Sequence, residues 1–313
     1  MEPAARRLVV VGSLNADLVA GVARLPQPGE TVLAAGSLAT LCGGKGANQA
    51  LAAARLGAPT AMVGRVGDDA HGERLLAALL RDGVDCSGVR ATPGCATGVA
   101  LIVVDDAGRN SIVVVPGANA QLNADDVDRE LPLIGAGCVV ALQLEIPLET
   151  VAHAAAAARA RGATVVLNPA PAMPLADALL ASVEVLVLNE SEASVLTGEP
   201  VDSIDTVQRA AARLRERGAG SVLVTLGARG VFAATAGGVR HLPARRVHAV
   251  DTTGAGDTFI GGLCAGLLEG LDLPAAIDLG QAAAAIQVTR PGAQAAMPTR
   301  REVEKAAARG GPD

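Results

Sequence analysis

Aromatic residues are almost absent from this chain of 313 residues. It has no tryptophan, no tyrosine and only two phenylalanines, Phe232 and Phe259. Proteins that bind nucleobases without regard to sequence stack them on aromatic rings, so that mode of binding is nearly excluded here. A formal net charge of −6 argues against a surface for nucleic acid or anionic membranes. The core must therefore be built from alanine, valine, leucine and isoleucine.

Paired cysteine motifs and long hydrophobic runs are also missing. The five cysteines show no C-x-x-C spacing and predict reduced thiols in a cytoplasmic protein; they are Cys42, Cys86, Cys95, Cys138 and Cys264. The first apolar run, residues 8–11, stops at Gly12 and is too short for a signal peptide. No segment approaches the roughly 20 apolar residues of a membrane-spanning helix. The four histidines lack the spacing of metal ligands.

Short β-branched runs alternate with alanine-rich helical stretches, which predicts parallel strands joined by helices. The predicted strands are 8–11, 60–63, 99–104, 111–115, 138–142, 164–167, 185–188, 221–225 and 230–234. The predicted helices are 48–56, 71–82, 148–161, 190–196, 206–217, 256–268, 273–287 and 299–308. Several strands are apolar at every position, as expected where helices cover both faces. We therefore expect a single α/β domain over residues 1–313, with a doubly wound, mostly parallel sheet.

Two stretches, about 16–39 and 94–118, interrupt this alternation and contain no predicted helix. In the second, a turn at 105–108 joins two apolar runs and predicts a β-hairpin. We expect the two stretches to form a small β-sheet lid over the carboxyl edge of the main sheet, where open α/β folds bind ligands. The uncovered apolar runs 101–104 and 112–115 predict a homodimer formed through the lid.

The strongest local motif is the string from Asp251 to Phe259. Gly254 and Gly256 allow backbone N–H groups to turn outward at a helix start, where the helix dipole also favours an anion. Asp257 falls in the first turn and could accept a proton from a hydroxyl that attacks a phosphate held there. The alternative is an aspartate that merely caps the helix. Neither a Walker A motif nor a Rossmann fingerprint fits the glycine-containing segments of the chain.

A second glycine-rich motif runs from Cys42 to Ala50 into an alanine-rich helix. Consecutive glycines permit close approach of a polyol, and Asn48 offers both a donor and an acceptor to hydroxyl groups. A purely structural loop with an asparagine cap is the alternative. Asn15 and Asp17 follow the first strand, at its carboxyl end. These residues indicate a sugar-like ligand.

Two further segments lie at predicted strand ends. The run from Asn189 to Glu192 places an amide and two carboxylates after a buried strand, which suits Mg²⁺ held through water. Helix capping by Glu192 explains the same residues. The turn from Thr225 to Gly230 fits either the edge of a nucleotide site or a plain hairpin.

Together, the two glycine-containing motifs resemble the signatures of the ribokinase-like (PfkB) family of sugar kinases. Residues 43–50 are similar to the family's N-terminal signature and residues 251–257 to its C-terminal one. The resemblance continues along nearly the whole chain, through segments 12–17, 28–31, 117–120, 143–145, 168–171 and 288–294. It implies the family's fold and ATP-dependent phosphorylation of D-ribose at O5, which yields D-ribose 5-phosphate and ADP.

The resemblance also implies a role for individual residues. Catalysis is implied for the general base Asp257 and for the anion hole of Gly254, Ala255 and Gly256. Sugar contacts are implied for Asn15, Asp17, Gly43, Gly44, Lys45, Asn48, Ile112, Glu145 and Asp257. Nucleotide contacts are implied for Asn189, Thr225, Leu226, Gly227, Ala228, Arg229, Gly230, Gly256, Asp257 and Gln281.

Two metal ions are implied by the same resemblance. Glu192 matches a carboxylate that organises Mg²⁺ through water. A potassium site beside the anion hole is implied for Asp251, Thr253, Gln287, Arg290, Gly292 and Ala296. Ala296 departs from the family pattern, in which a serine hydroxyl can bind the cation.

Two alternatives stay open at the level of sequence. One is a related kinase for another small sugar, such as 2-deoxyribose, fructose or a ketodeoxy acid. The other is a sugar-binding protein without catalysis, which the intact Gly254, Gly256 and Asp257 disfavour. In every case the expected ligand is a small molecule, and neither nucleic acid nor a membrane is expected as a partner.

Overall fold

The computed structural model describes residues 6–308. The strands are β1 (Leu8–Val11), β2 (Asn15–Val22), β3 (Ala39–Gly43), β4 (Thr60–Gly67), β5 (Asp85–Thr92), β6 (Gly98–Asp105), β7 (Asn110–Val115), β8 (Val139–Leu142), β9 (Thr164–Leu167), β10 (Val185–Asn189), β11 (Ser221–Thr225), β12 (Val231–Thr235) and β13 (Gly238–Leu242). The helices are α1 (Lys45–Arg55), α2 (Ala70–Arg81), α3 (Ala124–Glu130), α4 (Leu148–Ala160), α5 (Asp177–Leu180), α6 (Glu190–Thr197), α7 (Ile204–Glu216), α8 (Ala255–Glu269), α9 (Leu273–Gln287) and α10 (Arg300–Ala308).

The main sheet has nine strands in the order β13-β12-β11-β10-β9-β8-β1-β4-β5. Strands β11 through β5 run parallel, and β12 and β13 add an antiparallel edge. From β1 the chain winds outward to β4 and β5 on one side, and from β8 it winds outward to β11 on the other. The strand order therefore reverses between β1 and β8, and such a point opens a crevice at the carboxyl ends of the strands.

Two hydrophobic cores cover the two faces of this sheet. Along β1, Val9 and Val11 belong to the core formed with α3 to α7, whereas Leu8 and Val10 belong to the core formed with α1, α2 and α8 to α10. Because both faces are buried, all four residues of the strand are apolar. The predicted α/β class, with a doubly wound and mostly parallel sheet, is confirmed.

The separate sheet has four strands in the order β3-β2-β6-β7. Strands β2 and β6 run parallel, and the other two pairs are antiparallel. The predicted lid is confirmed, with one correction to its bounds: its strands cover 15–22, 39–43, 98–105 and 110–115, and residues 23–38 form none. The register places Asn15, Asp17, Gly43 and Ile112 on one face of this lid.

Several elements were not predicted. Strands β5 and β13 lie at the edges of the main sheet and lack a run of β-branched residues, so their pairing depends on tertiary context. Helix α3 has seven residues and is fixed by a capping box between Asn123 and Asp126. In the described part of the chain, no helix has both the length and the apolar character needed to cross a bilayer.

Candidate active site

The crevice between β1 and β8 contains Glu145, a carboxylate that gathers three donors on one oxygen. Its Oε2 accepts hydrogen bonds from Ser13 Oγ at 2.6 Å, Asn15 Nδ2 at 3.2 Å and the backbone N–H of Lys45 at 3.2 Å. Asn119 Nδ2 donates to Asn15 Oδ1 at 2.8 Å and so orients that amide. These three hydrogen bonds fix the orientation of the Glu145 carboxylate.

The glycine-rich motif is a junction between a strand and a helix. Gly43 ends β3, Gly44 has φ of 89°, and α1 begins at Lys45. The expected loop and a helix start at residue 48 were therefore wrong, because the left-handed conformation of Gly44 turns the chain within one residue. A Cβ at Gly44 would lie 2.7 Å from the backbone nitrogen of Asn15. Only glycine allows α1 to approach the lid this closely.

Asn15 and Asp17 do not lie at the carboxyl end of the first strand, where the sequence placed them. Strand β1 ends at Val11, and both residues belong to the lid strand β2. They still face the crevice, as Asn15 shows through its hydrogen bond to Glu145. The polar side chains implied in sugar binding therefore come from the lid strand β2 and from the segment that follows β8.

Asp257 lies at the buried start of α8, directly across from α1. The N-cap of α8 is Gly254, with φ of 79°, so Asp257 is inside the first turn. Its Oδ2 accepts from Asn48 Nδ2 at 2.9 Å and its Oδ1 from Gln49 Nε2 at 3.1 Å. The alternative of a capping aspartate is wrong, because Gly254 holds that position and the carboxylate is engaged by α1.

The charges in the crevice interact strongly. Burial raises the pKa of Asp257, while the charge of Lys45 and the two amide donors oppose that rise. Burial, together with the charges of Glu145 and Asp257, raises the pKa of Asp17 to about 7. Burial acts to lower the pKa of Lys45, but the carboxylates of Asp257, Glu145 and Glu192 outweigh it and raise that pKa. A carboxylate of raised pKa beside a helix N-terminus is suited to accept a proton from a hydroxyl group.

Further along the sheet edge, α6 begins with a capping box. Asn189 Oδ1 accepts from the backbone N–H of Glu192, and Glu192 Oε2 accepts from that of Asn189, both at 2.8 Å. The capping interpretation of Glu192 is therefore confirmed. Burial raises the pKa of this carboxyl group, and Lys45 is the cation that faces it.

The turn from Thr225 to Gly230 joins β11 to the antiparallel β12, and Thr225 pairs with Asn189 across the sheet. Arg229 Nη2 reaches Glu190 Oε1 at 2.5 Å. The neighbouring β13 lies close, because a Cβ at Gly230 would be 2.1 Å from the carbonyl oxygen of Leu242. The same oxygen accepts from Gln281 Nε2 at 3.1 Å. The structure thus brings the nucleotide candidates from residues 189, 225–230 and 281 to one end of the sheet.

The loop before α8 is tied to the loop after α9. Asp251 Oδ1 accepts from the N–H of Thr253 at 2.9 Å, and Asp251 Oδ2 accepts from that of Gly292 at 2.8 Å. Gln287 Nε2 donates to the carbonyls of Thr253 and Gly292, at 2.6 and 3.2 Å. Burial acts to raise the pKa of Asp251, but these N–H groups and the Thr253 hydroxyl lower it.

Two more of the residues implied in the potassium site lie in the same region. The backbone N–H of Arg290 donates to the carbonyl of Gln287 at 3.1 Å, and Ala296 is buried in a short 3-10 turn. Within residues 6–308 there is no cluster of three or more His, Cys, Asp or Glu side chains arranged to bind a metal ion.

Five polar side chains that support the site were not among the predicted site residues. They are Ser13, Gln49, Asn119, Gln143 and Gln294. Each adjoins or lies within a segment that resembles the family, and that position is the one signal available in the sequence. Gln143 is 94 residues from its partner Gln49, and Gln294 is 246 residues from its partner Asn48. No local pattern in the sequence indicates contacts over such separations.

A profile of the pfkB family of carbohydrate kinases matches residues 5–300. This chain belongs to that family. The ribokinase of Haemophilus influenzae is 43% identical over 297 residues, which cover 95% of this chain and 97% of that protein. The deoxyribokinase of Salmonella typhi is 39% identical over 293 residues, covering 93% and 95%. The family predicted from the two glycine-containing motifs is confirmed.

Solved structures show the same relationship. The Arabidopsis thaliana ribokinase, solved in complex with ribose and ATP, superposes with a TM-score of 0.87 and 37% identity. The match covers 97% of this chain and 98% of that one. The pfkB kinase has the same overall arrangement as that relative, including the small sheet over the crevice.

Proposed function

We propose that this pfkB kinase transfers the γ-phosphoryl group of ATP to O5 of D-ribose, giving D-ribose 5-phosphate and ADP. The observation that carries the proposal is the position of the Asp257 carboxylate. It lies at the glycine-flanked N-terminus of α8 and across from the polar groups of the lid and crevice. The similarity to ribokinases over nearly the full chain supports ribose as the acceptor.

The proposed reaction assigns a distinct task to each part of the crevice. Asp257 takes the proton of the ribose 5-hydroxyl as O5 bonds to the γ-phosphorus, and the bond from that phosphorus to the ADP oxygen breaks. The N–H groups of residues 254–256 stabilise the charge on the transferring phosphoryl oxygens. Asn15, Asp17 and Glu145 hold the remaining sugar hydroxyls, and Lys45 balances the carboxylates. Water is excluded by the lid, which limits hydrolysis of ATP.

ATP is proposed to lie along the carboxyl ends of β10 and β11. Asn189 and Thr225 are paired at that edge, and the turn 227–230 offers backbone groups next to Gln281. The nucleotide would then approach α8 from the side opposite to the sugar. Its γ-phosphate would reach the N-terminus of α8, next to the proposed base Asp257.

The residues present fit both proposed metal ions. Glu192 is a half-buried carboxylate near Lys45 and Asp257, and Mg²⁺ keeps several waters while taking few protein oxygens. When bound with ATP, Mg²⁺ would neutralise charge on the phosphate oxygens. The carbonyls of Thr253 and Gly292 both accept from Gln287 Nε2, and Asp251 accepts from the N–H groups of the same two residues. This region therefore offers carbonyl and carboxylate oxygens, the ligand atoms that K⁺ takes. A cation there would add fixed positive charge beside the anion hole.

A homodimer through the lid and a cytoplasmic location are part of the same proposal. Leu101 and Val113 pair on the lid face opposite to Asp17, and they are 44% and 58% exposed. A second copy of this chain would bury that apolar face. Light scattering should give the dimer mass at micromolar protein, and Val113→Glu should give the monomer mass. Cys42, Cys86, Cys95 and Cys264 form no disulfide, which supports a reducing compartment.

The deciding experiment measures ADP release from Mg-ATP in potassium buffer with D-ribose, 2-deoxyribose, fructose or adenosine as acceptor. We expect the highest kcat/KM with D-ribose and a product whose ³¹P and ¹³C spectra place the phosphate on C5. Preference for 2-deoxyribose would move the assignment to the activity of the Salmonella relative. Binding of ribose in calorimetry without turnover of any acceptor would refute the kinase proposal.

A further inference from the structure

Two chains of side-chain amides converge on the Asp257 carboxylate. Its inner contacts come from Asn48 and Gln49, neighbours in α1. Each of these amides is held in turn by a glutamine from another part of the fold. Gln143 Nε2 donates to Gln49 Oε1 at 2.7 Å, and Gln294 Nε2 donates to Asn48 Oδ1 at 3.0 Å. Gln143 follows β8, and Gln294 lies in the turn after α9.

The chemistry of a carboxylate sets the direction of both chains. An ionised carboxylate only accepts hydrogen bonds, so Asn48 and Gln49 must present their NH₂ groups to Asp257. The carbonyl end of each amide then points away and requires a donor, which Gln294 and Gln143 supply. Without that donor, Gln49 could turn its amide and present Oε1 to Asp257. A carbonyl facing the carboxyl group favours its protonated form, which cannot act as a base.

Stability does not explain the glutamine at position 143. The Gln143 side chain is fully buried, and among the described residues its Oε1 accepts no hydrogen bond. That oxygen occupies the space beside the Cα of Gly12, where a Cβ would come within 2.0 Å of it. A buried polar atom without a partner is unfavourable, and an apolar side chain of similar shape would avoid that cost. The donor that Gln143 offers to Gln49 is therefore the group that distinguishes it from leucine.

We propose that Gln143 and Gln294 are positioning residues for phosphoryl transfer, which orient the amides of Gln49 and Asn48 so that Asp257 always meets N–H donors. Neither glutamine needs to touch substrate for this role. The inference rests on the proposed function, because it takes Asp257 to be the base that receives the proton of the sugar hydroxyl.

Other charged groups also face Asp257. They are Lys45 on α1, Glu145 after β8, Asp17 on β2 and Glu192 on α6. Lys45 favours the ionised form of Asp257, and the three carboxyl groups disfavour it. All four are unchanged when either glutamine is replaced. A change in the titration of Asp257 in such a variant is therefore due to the amide chain.

The kinetic test uses Gln143→Leu and Gln294→Leu. We expect kcat to fall on the order of 10-fold in both variants, with KM for ATP changing less than about 2-fold because neither glutamine is a proposed nucleotide contact. KM for sugar should change as little in Gln143→Leu, because its partner Gln49 is not a proposed sugar contact. In a plot of kcat against pH, the acid limb should move to higher pH by about one unit, because the Asp257 carboxylate loses a well-oriented N–H donor. Gln294 is only half-buried, so its variant keeps the test open if Gln143→Leu does not fold.

The matched control is Thr60→Val. Thr60 is also buried, and its hydroxyl donates to the carbonyl of Ala58 at 2.9 Å, at the start of β4 and so at the opposite edge of the sheet. The control loses a buried hydrogen bond without touching either amide chain. We expect its kcat and its acid limb to match those of the wild-type protein.

A direct titration separates this inference from the proposed function. The Asp257 carboxyl resonance of ¹³C-aspartate-labelled protein, assigned by its loss in Asp257→Asn, should titrate at higher pH in both glutamine variants. An unchanged titration and an unchanged acid limb, in a protein that phosphorylates sugar normally, would overturn the inference alone. A wild-type protein with no sugar kinase activity would overturn the proposed function, and the titration would still show whether the amides control the carboxyl group.

Discussion

The Cα of Gly43 lies against the carboxylate of Asp17, so that a Cβ on residue 43 would come within 2.1 Å of Asp17 Oδ2. This contact packs the end of β3 directly onto the side chain that β2 presents to the crevice. Gly43→Ala must displace the Asp17 carboxylate. We expect KM for D-ribose to rise at least about 10-fold, the effect of one lost charge-assisted hydrogen bond, while KM for ATP stays the same.

The control for that variant is Gly21→Ala on the same lid. A Cβ at Gly21 meets only the carbonyl oxygen of Ala35, at 3.8 Å, so the substitution fits without displacement. Steady-state kinetics should show an unchanged KM for ribose. An equal effect from both alanines would mean that general loosening of the lid, and not the position of Asp17, controls sugar binding.

Asp257→Asn tests the proposed base. The asparagine is close in size but cannot take a proton, so kcat should fall by at least about 10². The asparagine oxygen can still accept from one of Asn48 and Gln49, although its NH₂ group then faces the other donor. Ribose affinity in calorimetry should therefore fall far less than kcat. A variant with near-normal turnover would rule out Asp257 as the base. Circular dichroism should confirm that the fold is unchanged.

The raised pKa of Asp17 predicts a pH-dependent cost to stability. The pKa rises from 3.8 to about 7 on folding, so the folded state binds this proton more tightly than the unfolded state does. Its contribution is fully present below pH about 4 and is lost as the pH rises through 7. Asp17→Asn cannot ionise, and at pH 8 we expect its free energy of unfolding to exceed the wild-type value by on the order of 2 kcal/mol.

That difference should shrink to about 0.5 kcal/mol at pH 4, where Asp17 is neutral in the folded protein and only about half ionised in the unfolded chain. Urea unfolding of the sugar-free protein at pH 4, 6 and 8 measures it directly. A stability difference that is the same at all three pH values would contradict the raised pKa.

Close packing of α8 on α9 depends on facing glycines. A Cβ at Gly262 would lie 2.7 Å from the Cα of Gly280, and backbone atoms cannot yield as a flexible side chain can. Gly262→Ala should lower the free energy of unfolding by about 1–3 kcal/mol. The control Gly256→Ala, also in α8, meets nothing within 4 Å, and it should be neutral or stabilising by up to about 1 kcal/mol. Denaturant unfolding of both variants decides the point.

Asp251→Ala should uncouple the two loops beside the anion hole. It removes the acceptors for the N–H groups of Thr253 and Gly292. If the proposed potassium site exists, KCl should raise the Tm of the wild-type protein more than NaCl does, and the variant should lose that difference. Asp272→Ala, which removes the N-cap acceptor at the far end of α9, should keep it. A wild-type protein that responds equally to both salts would count against the site.

The sequence was informative where a signal is local. The helix start that holds Asp257 and the order of βα units depend on residues close together in the chain, and the structure has both as predicted. The anion hole at that helix start stays a prediction. The contacts of Asp257 depend on residues such as Gln294, which is 246 positions from Asn48. No periodicity or residue spacing in the sequence indicates that two such distant residues are in contact. Edge strands such as β13, exposed at four of its five positions, lack the apolar signal that marks a buried strand.

The proposed sugar contacts come from both the lid and the main body of the fold, whereas the proposed nucleotide contacts come from the main body alone. Asn15, Asp17 and Ile112 come from the lid, and Glu145 and Asp257 come from the main body. A bound sugar would therefore act as a spacer that sets the separation of the two sheets. ATP alone would leave that separation undefined, so the acceptor itself would complete the enclosure in which its own phosphorylation takes place.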